Sequence, residues 1–304
     1  MSHRAYGRVD FRAMGTDCSI QVWGPNAQAI AALGQVRVDI LEARWSRFRP
    51  SSELSILNAR AGQGPMVVSE DTELLVRAMQ DGWQATDGAF DPTIGLSLIA
   101  HGYDSDFPEL CARKAWEWVT PQPARGMGDV SIGNGSVELP SSIALDPGAL
   151  GKGLAADIVV DELMRAGIHG VLVDLGGDIA HAGVNSDEVW VMAIRDERNS
   201  TSTAESHSMS AEHRGLATST TLRRRWAGTR HHVLDPRTGT MVDEKLVQVS
   251  VCAARASIAE VWATALLVRP ELMSSIPPNT QVLALSSQDV IRNDFSCVHE
   301  RTVA

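Results

Sequence analysis

The sequence predicts an α+β fold, because strand-like and helix-like segments are mixed without the regular alternation that is typical of βαβ proteins. Strands are indicated by short alternating or continuous apolar runs bounded by turn residues. Helices are indicated by apolar residues that recur every three or four positions. The predicted strands lie at residues 18–22, 170–175 and 247–251, and the predicted helices at 30–41, 71–85, 154–166 and 257–268.

The first strand and the first helix illustrate the two patterns. Cys18, Ile20 and Val22 alternate with polar residues, and Gly24-Pro25-Asn26 ends the strand. The helix that follows reaches an arginine-rich segment at residues 44–49. Its apolar side, which we expect to face the core, consists of Ile30, Leu33, Val36, Ile40 and Leu41.

Composition excludes some classes of function. A chain of 304 residues can bury a large core, and a formal net charge of -10 argues against a general nucleic-acid surface. No apolar run is long enough to insert into a membrane, so we expect a cytoplasmic protein. Its cysteines, which we expect to be thiols rather than disulfides, are Cys18, Cys111, Cys252 and Cys297.

We expect residues 1–304 to form one domain that contains one long loop. Residues 195–215 are polar and rich in serine, which is typical of a mobile loop. No internal repeat divides the chain.

The segment Asp146-Pro-Gly-Ala-Leu-Gly-Lys-Gly precedes a predicted helix and has the composition of an anion-binding turn. Its glycines allow the backbone to approach a ligand, and the helix start presents N–H groups to an anion. Lys152 would supply the positive charge for a diphosphate. The spacing matches neither a P-loop nor a dinucleotide-binding fingerprint, and taken alone the segment is more typical of a simple tight turn.

A second glycine-rich segment follows the strand at residues 170–175. Gly176 and Gly177 lie between Asp174 and Asp178, and the carboxylates are suited to a divalent cation. The glycine pair is needed either for close approach to a ligand or only for a tight turn. Together with residues 146–153, this segment predicts a site for a phosphorylated ligand and a metal.

Two further segments each allow a catalytic and a structural interpretation. His232 precedes a predicted turn at residues 235–239, where it would act as a general base or be an incidental surface histidine. Glu260 and Thr264 are four residues apart, so a helix places both on one face, where they suit Mg²⁺. The competing interpretation is a capping box of Ser257 and Glu260, which this segment alone favours.

Taken in order, these segments resemble the FAD:protein FMN transferase family, the ApbE-type flavin transferases, over most of the chain. The matching segments are Ala13-Met-Gly-Thr16, residues 46–58, Asp87-Gly-Ala-Phe-Asp-Pro-Thr93, residues 146–157, 173–179, 217–219, 232–239 and 259–265. The resemblance implies mixed sheets with flanking helices, arranged as two interleaved lobes around a central FAD cleft. It implies Mg²⁺-dependent transfer of FMN from FAD to a Thr or Ser of an acceptor protein, with release of AMP.

The resemblance also implies roles for individual positions. Met14, Ala89, Phe90 and Asp91 would line the flavin nucleotide, and Asp146, Lys152, Gly176 and Gly177 would contact FAD. The Ala149 carbonyl, Glu260 and Thr264 would bind the metal, and His232 would deprotonate the acceptor hydroxyl. We expect Asp235 to orient the imidazole of His232.

The chain departs from the family pattern at two positions near the implied site. Glu260 replaces the usual Asp, and Thr220 replaces the glycine of the usual Thr-Ser-Gly. These departures leave two other functions open: a flavin carrier that has lost transfer, and a pyrophosphatase that splits FAD into FMN and AMP. The sequence also leaves open the acceptor, the preferred metal and whether the chain forms a homodimer.

Overall fold

The computed structural model describes residues 5–116, 119–185, 190–199, 203–209 and 214–293, with the backbone alone at 203–209 and 292–293. The helices are α1 (Ala27–Trp45), α2 (Glu53–Ala59), α3 (Glu70–Ala85), α4 (Gly95–Ala100), α5 (Phe107–Ala112), α6 (Gly151–Met164) and α7 (Ala256–Val268), with a 3-10 helix at Pro270–Ser275. The strands are β1 (Tyr6–Ala13), β2 (Thr16–Trp23), β3 (Met66–Val67), β4 (Ser131–Gly133), β5 (Ser136–Glu138), β6 (Gly170–Leu175), β7 (Ile179–Gly183), β8 (Trp190–Arg195), β9 (Thr203–Met209), β10 (Gly215–Thr220), β11 (Arg225–Trp226), β12 (Arg230–His231), β13 (Leu234–Asp235), β14 (Thr240–Met241), β15 (Gln248–Ala253), β16 (Gln281–Leu285) and β17 (Val290–Asn293).

The main sheet has eight strands in the order β1-β2-β6-β7-β10-β15-β16-β17, and each strand is antiparallel to its neighbours. Helices α1, α6 and α7 pack against successive strand pairs of this sheet. The arrangement confirms the α+β prediction, since an antiparallel sheet does not need a helical crossover between neighbouring strands.

The β1–β2 hairpin confirms the strand predicted at residues 18–22 and fixes the position of Met14. Cys18, Ile20 and Val22 are buried in the main core. Ala13 pairs with Thr16, so Met14 and Gly15 form a two-residue turn, in which both have positive φ, 51° and 71°. These angles are those of a type I′ turn, the geometry that suits a tight hairpin.

Helix α1 forms where predicted and Leu41 is buried as expected, but much of its buried side differs from the prediction. Leu33, Val36 and Ile40 are exposed, and small residues such as Ala31 and Gly34 face the core instead. A Cβ at Gly34 would lie 2.9 Å from Ile20 Cδ1, so the absent side chain lets the helix approach the sheet closely. The exposed residues line a surface cavity of about 320 Å³ with part of α6.

The predicted loop at residues 195–215 is wrong for Thr203–Met209, which form β9 and pair antiparallel with β8. Strand β8 buries every second side chain, those of Trp190, Met192 and Ile194. Its backbone forms the hydrogen bonds that hold β9 as a strand, although the polar composition of β9 does not indicate one. Residues 200–202 and 210–213 lie outside the described residues.

The expectations for the cysteines and for membrane-spanning segments are tested only within the described residues. No disulfide joins the described cysteines, Cys18, Cys111 and Cys252, and Cys297 lies outside the described residues. Among the described helices, none has the length and apolar character needed to cross a membrane.

The capping box predicted for Ser257 and Glu260 is wrong, because α7 is capped from another helix. Asp157 of α6 accepts hydrogen bonds from the backbone N–H groups of Ala256 and Ser257, each at 3.0 Å. The Ser257 hydroxyl donates to the same carboxylate at 2.6 Å. A carboxylate at a helix N-terminus also interacts favourably with the helix dipole. Glu260 therefore does not cap α7, and its carboxylate can form a contact elsewhere.

Asp157→Ala is expected to lower the free energy of unfolding by about 3 kcal/mol, because it leaves buried N–H groups of α7 without partners. Urea denaturation at pH 7 measures the change. Asp161→Ala is the matched control on the same helix, since the Asp161 side chain is 34% exposed and pairs with Arg255 and Arg214 at the surface. That control should cost less than about 1 kcal/mol. Equal losses in the two variants would contradict the capping role.

Candidate functional site

Three of the predicted segments meet at Lys152, which lies in the first turn of α6. Its Nζ forms ion pairs with Asp178, after the β6–β7 turn, and with Glu260 Oε1 of α7, the latter at 2.5 Å. The backbone N–H of Gly153 donates to Glu260 Oε2 at 2.7 Å. We call Lys152, Asp178 and Glu260 the Lys152 triad. The triad joins residues 146–153, 173–179 and 257–268, which are far apart in sequence.

The two carboxylates of the Lys152 triad are buried, Lys152 is partly buried, and the acidic groups outnumber the single ammonium. Asp178 is 3% exposed and Glu260 is 2% exposed. Burial raises the pKa of Glu260, the carboxylate of Asp178 raises it further, and Lys152 lowers it, with a net increase. Burial lowers the pKa of Lys152, but Asp178 and Glu260 outweigh this effect and keep the amine protonated. Two carboxylates facing one ammonium favour a further cation.

The residues implied as metal ligands supply oxygen atoms, which Mg²⁺ prefers. Thr264 lies one turn after Glu260 on α7, and its hydroxyl is 2.9 Å from that of Ser219 on β10. Both Glu260 oxygens accept hydrogen bonds from the protein, from Lys152 and from Gly153. Within the described residues no three His, Cys, Asp or Glu side chains form a metal cluster. The donor set therefore fits Mg²⁺ only if Ala149 and Thr264 contribute beside Glu260.

His232 lies between β12 and β13, and the positive charge of Lys152 is one of those that act on it. Its Nδ1 atom is buried without a hydrogen-bond partner. Burial lowers the pKa of His232 to about 3, and the positive charges of Arg224, His231 and Lys152 contribute to the decrease. The imidazole is therefore neutral at physiological pH, with an unused nitrogen atom.

The structure does not support the expected contact between Asp235 and His232. Asp235 Oδ1 accepts hydrogen bonds from Arg237 N at 2.9 Å and Arg237 Nε at 3.0 Å. Its other oxygen accepts from Arg237 Nη2 at 2.7 Å. The predicted turn is present, since Gly239 N donates to the Asp235 carbonyl at 2.8 Å. Asp235 thus stabilises this turn, because a short Asp-to-Arg spacing satisfies its carboxylate locally.

The Gly176-Gly177 turn requires glycine at position 176 for steric reasons. Both glycines have positive φ, 74° and 97°, and Gly177 N donates to Asp174 Oδ1 at 2.8 Å. A Cβ at Gly176 would lie 2.3 Å from Thr16 Oγ1, whereas a Cβ at Gly177 would meet nothing within 4 Å. The turn therefore packs against the β1–β2 hairpin, beside Met14, and leaves open space at Gly177.

The segment Ala89, Phe90 and Asp91 forms part of the protein interior. Ala89 and Phe90 are each 2% exposed and belong to the main core. Asp91 accepts hydrogen bonds from Thr93 N at 2.9 Å and Thr93 Oγ1 at 2.7 Å, and burial raises its pKa. These side chains support the loop, so a ligand would meet the backbone of this segment rather than the Phe90 ring.

Sequence reasoning did not assign a role to Arg47, which holds Asp146. Arg47 Nε is 2.5 Å from Asp146 Oδ2, while Gly148 N donates to Asp146 Oδ1 at 2.7 Å. The guanidinium carbon lies 4.1 Å from the Phe48 ring centroid and 4.4 Å from that of Tyr103. Arg47 Nη2 is buried without a partner. The arginine-rich segment at 44–49 was the available signal, but a run of arginines does not show which one is buried.

The comparison with protein families decides the family of this chain. The model of the ApbE family matches residues 14–278. The chain belongs to the ApbE family. Among related ApbE sequences, the FAD:protein FMN transferase of Treponema pallidum is 31% identical over 289 residues, which cover 87% of this chain and 79% of that protein. The FAD:protein FMN transferase of Vibrio cholerae is 29% identical and covers 85% of this chain and 80% of that protein.

Solved ApbE structures share the fold. The ApbE protein of Thermotoga maritima superposes with a TM-score of 0.84 at 22% identity, over 95% of this chain and 97% of that chain. The flavin transferase ApbE of Vibrio cholerae gives a TM-score of 0.78 at 23% identity, over 96% of this chain and 98% of that chain. The predicted ApbE-like arrangement of mixed sheets and flanking helices is thereby confirmed.

Proposed function

We propose that this chain transfers FMN from FAD to a Thr or Ser hydroxyl of an acceptor protein and releases AMP in a Mg²⁺-dependent reaction. The observation that carries the proposal is the Lys152 triad with its two buried carboxylates, together with His232, whose buried Nδ1 has no partner. A buried cation suits a diphosphate, and a neutral imidazole suits a hydroxyl nucleophile. The related enzymes named FAD:protein FMN transferase support the same reaction.

The reaction joins the acceptor hydroxyl oxygen to the FMN phosphorus and breaks the phosphorus–oxygen bond to AMP. His232 Nδ1 takes the hydroxyl proton, and Lys152 stabilises the negative charge that develops on the diphosphate. When bound, Mg²⁺ supplies further charge neutralisation, and Ala149, Glu260 and Thr264 would hold it through oxygen atoms.

The remaining assigned residues form the surroundings of the flavin nucleotide. Met14 and the open side of Gly177 lie at the β1–β2 and β6–β7 turns, and Gly176 keeps these two turns in contact. Asp146, fixed by Arg47, faces FAD from the segment before α6, and residues 89–91 form another part of the pocket through their backbone. Glycine at 177 allows the backbone to approach the ligand.

The experiment that tests the proposal is calorimetric titration of the purified protein with FAD, with and without Mg²⁺, followed by assays for AMP and for covalent flavin. Host proteins are separated on a denaturing gel, and covalent FMN is detected by its fluorescence. AMP together with labelled protein supports the proposal. Free FMN and AMP without labelled protein indicate a pyrophosphatase, and FAD binding without AMP indicates a flavin carrier. The absence of FAD binding contradicts the assignment of the pocket.

Glu260→Asp is expected to reduce the rate of AMP release about 10-fold, because the shorter side chain cannot reach both Lys152 and Gly153. The measurement is AMP release as a function of Mg²⁺ concentration at saturating FAD. Glu260→Gln keeps the length but removes the charge, and should cost more than Glu260→Asp. A large gain of turnover in Glu260→Asp would mean that the native glutamate impairs the site.

A further inference from the structure

The segment that carries His232 is not part of the main sheet. It consists of the hairpin β11–β12 and the hairpin β13–β14, which pair only within themselves in the described strand order. His232 and Val233 join the two hairpins. Besides a backbone hydrogen bond with Arg223, the position of the His232 ring therefore depends on how the hairpins are held relative to each other.

One buried residue, His101, contacts both hairpins. His101 follows α4 and is 6% exposed. On the first hairpin, Trp226 Nε1 donates to the His101 carbonyl at 3.0 Å, and Arg230 Nη1 donates to His101 Nδ1. On the second hairpin, His101 Nε2 donates to the Gly239 carbonyl at 2.8 Å.

We propose that His101 is a positioning residue for His232: it holds the two hairpins in one relative orientation and so keeps the His232 imidazole in its buried place. The inference rests on the proposed function, in which His232 is the base. His101 does not touch the reacting groups, so its effect reaches them only through the hairpins.

The hydrogen-bond chemistry of the two contacts requires a neutral His101 ring. The Gly239 carbonyl can only accept, so Nε2 carries the proton, and Nδ1 then accepts from Arg230. Burial lowers the pKa of His101 and Arg230 lowers it further, while the Gly239 carbonyl raises it, with a net decrease. The neutral His101 ring therefore accepts a hydrogen bond from Arg230 of the first hairpin and donates one to the Gly239 carbonyl of the second.

The second hairpin, which His101 contacts at Gly239, is packed against residues 122–124. Gly239 has φ +71, and a Cβ there would lie 2.3 Å from the Gln122 carbonyl oxygen. The hydroxyl of Ser97, one turn before His101 on α4, donates to that same oxygen. Ala124 N donates to the Pro236 carbonyl at 2.7 Å. The second hairpin is thus fixed against residues 122–124, and His101 transmits that position to the first hairpin.

His101→Phe tests the proposal, with the pKa of His232 as a readout that does not depend on activity. Histidine-selective ¹⁵N NMR of the full chain follows the titration of His232. Loss of the connection should admit water to His232 and raise its pKa from about 3 to above ~5, toward the ordinary ~6.5. The kcat for AMP release should fall at least about 30-fold, while the Kd for FAD changes less than about threefold.

The conservative variants separate the two contacts. His101→Gln can donate to Gly239, and His101→Asn can accept from Arg230, so each should restore part of the native kcat and part of the lowered His232 pKa. Leu75→Ala is the control for general destabilisation, because Leu75 is buried in the main core and not in the cluster that contains Trp226 and Leu234. It should lower Tm without moving the pKa of His232.

An unchanged pKa of His232 in a folded His101→Phe protein would overturn the proposal. If His101→Phe does not fold, the same comparison is made with the Gln and Asn variants, and native pKa values in both would overturn it equally. If the native protein binds FAD but transfers no FMN, the proposed function fails while the NMR comparison still decides the role of His101.

Discussion

His232→Ala is expected to reduce the rate of FMN transfer by at least about 100-fold while leaving the Kd for FAD within about threefold. The reason is that Nδ1 of this residue is buried, neutral and without a partner, and is therefore available for the hydroxyl proton. Single-turnover AMP release and FAD titration measure the two effects. Added imidazole should restore part of the rate by entering the space that the side chain leaves.

The control for this variant is His231→Asn at the neighbouring position. His231 Nδ1 accepts from Val233 N at 3.3 Å and its Nε2 lies 3.8 Å from Glu244 Oε1, so its contacts differ from those of His232. This variant should lower Tm but reduce transfer less than about 10-fold. A His232→Ala protein that loses FAD binding as strongly as transfer would show that His232 is a binding residue.

The same result has a pH dependence whose sign follows from the charges around His232. Lys152 and Arg224 help to lower its pKa, and a bound diphosphate would offset their positive field. The pKa of His232 should therefore rise when FAD binds. In pH profiles, the acidic limb of kcat, which reports the complex, should lie at higher pH than that of kcat/KM, which reports the free enzyme.

Lys152→Met is expected to destabilise the protein by about 3–5 kcal/mol at pH 8 and to weaken FAD binding at least about 10-fold. The variant leaves Asp178 and Glu260 buried beside each other without their cation. Burial and Asp178 already raise the pKa of Glu260, and removing Lys152 takes away the charge that lowers it, so the folded form binds more protons than the unfolded chain. The loss of stability should accordingly be larger at pH 8 than at pH 5.5, as measured by urea denaturation.

The double variant Lys152→Met/Glu260→Gln provides the control for this interpretation. Neutralising Glu260 removes one of the two unpaired charges, so the double variant should be more stable than Lys152→Met alone at pH 8. FAD binding should remain weak, because the ammonium is still missing. Native FAD affinity in Lys152→Met would contradict the diphosphate role of Lys152.

Local patterns predicted much of the secondary structure, because periodicity reports which side of an element is apolar. Strand β2 and helix α7 lie within a residue or two of their predicted positions. The same reasoning failed for α1, where Ala31 and Gly34 are buried and larger apolar residues are exposed. Close approach to the sheet favours small side chains, and hydrophobicity alone does not contain that information.

The site was predictable as a set of segments but only partly as a set of contacts. Lys152 and Glu260 were both assigned, yet their ion pair joins residues 108 positions apart, which spacing along one helix cannot reveal. Asp235 was assigned to His232, but Arg237 two residues away satisfies it. The buried role of Arg47 depends on Phe48, Tyr103 and Asp146 together, and such three-dimensional packing is absent from a linear motif.

Helices α6 and α7 each supply a carboxylate that accepts hydrogen bonds from backbone N–H groups in the first turn of the other helix. Asp157 of α6 accepts from the Ala256 and Ser257 amides, and Glu260 of α7 accepts from the Gly153 amide. Neither helix can fray at its start without breaking the hydrogen bonds of the other, so the two first turns form one cooperative unit of hydrogen exchange. The Lys152 triad lies inside this unit. We therefore expect the charged centre to be lost only with sub-global unfolding, and not in the local openings that affect exposed loops.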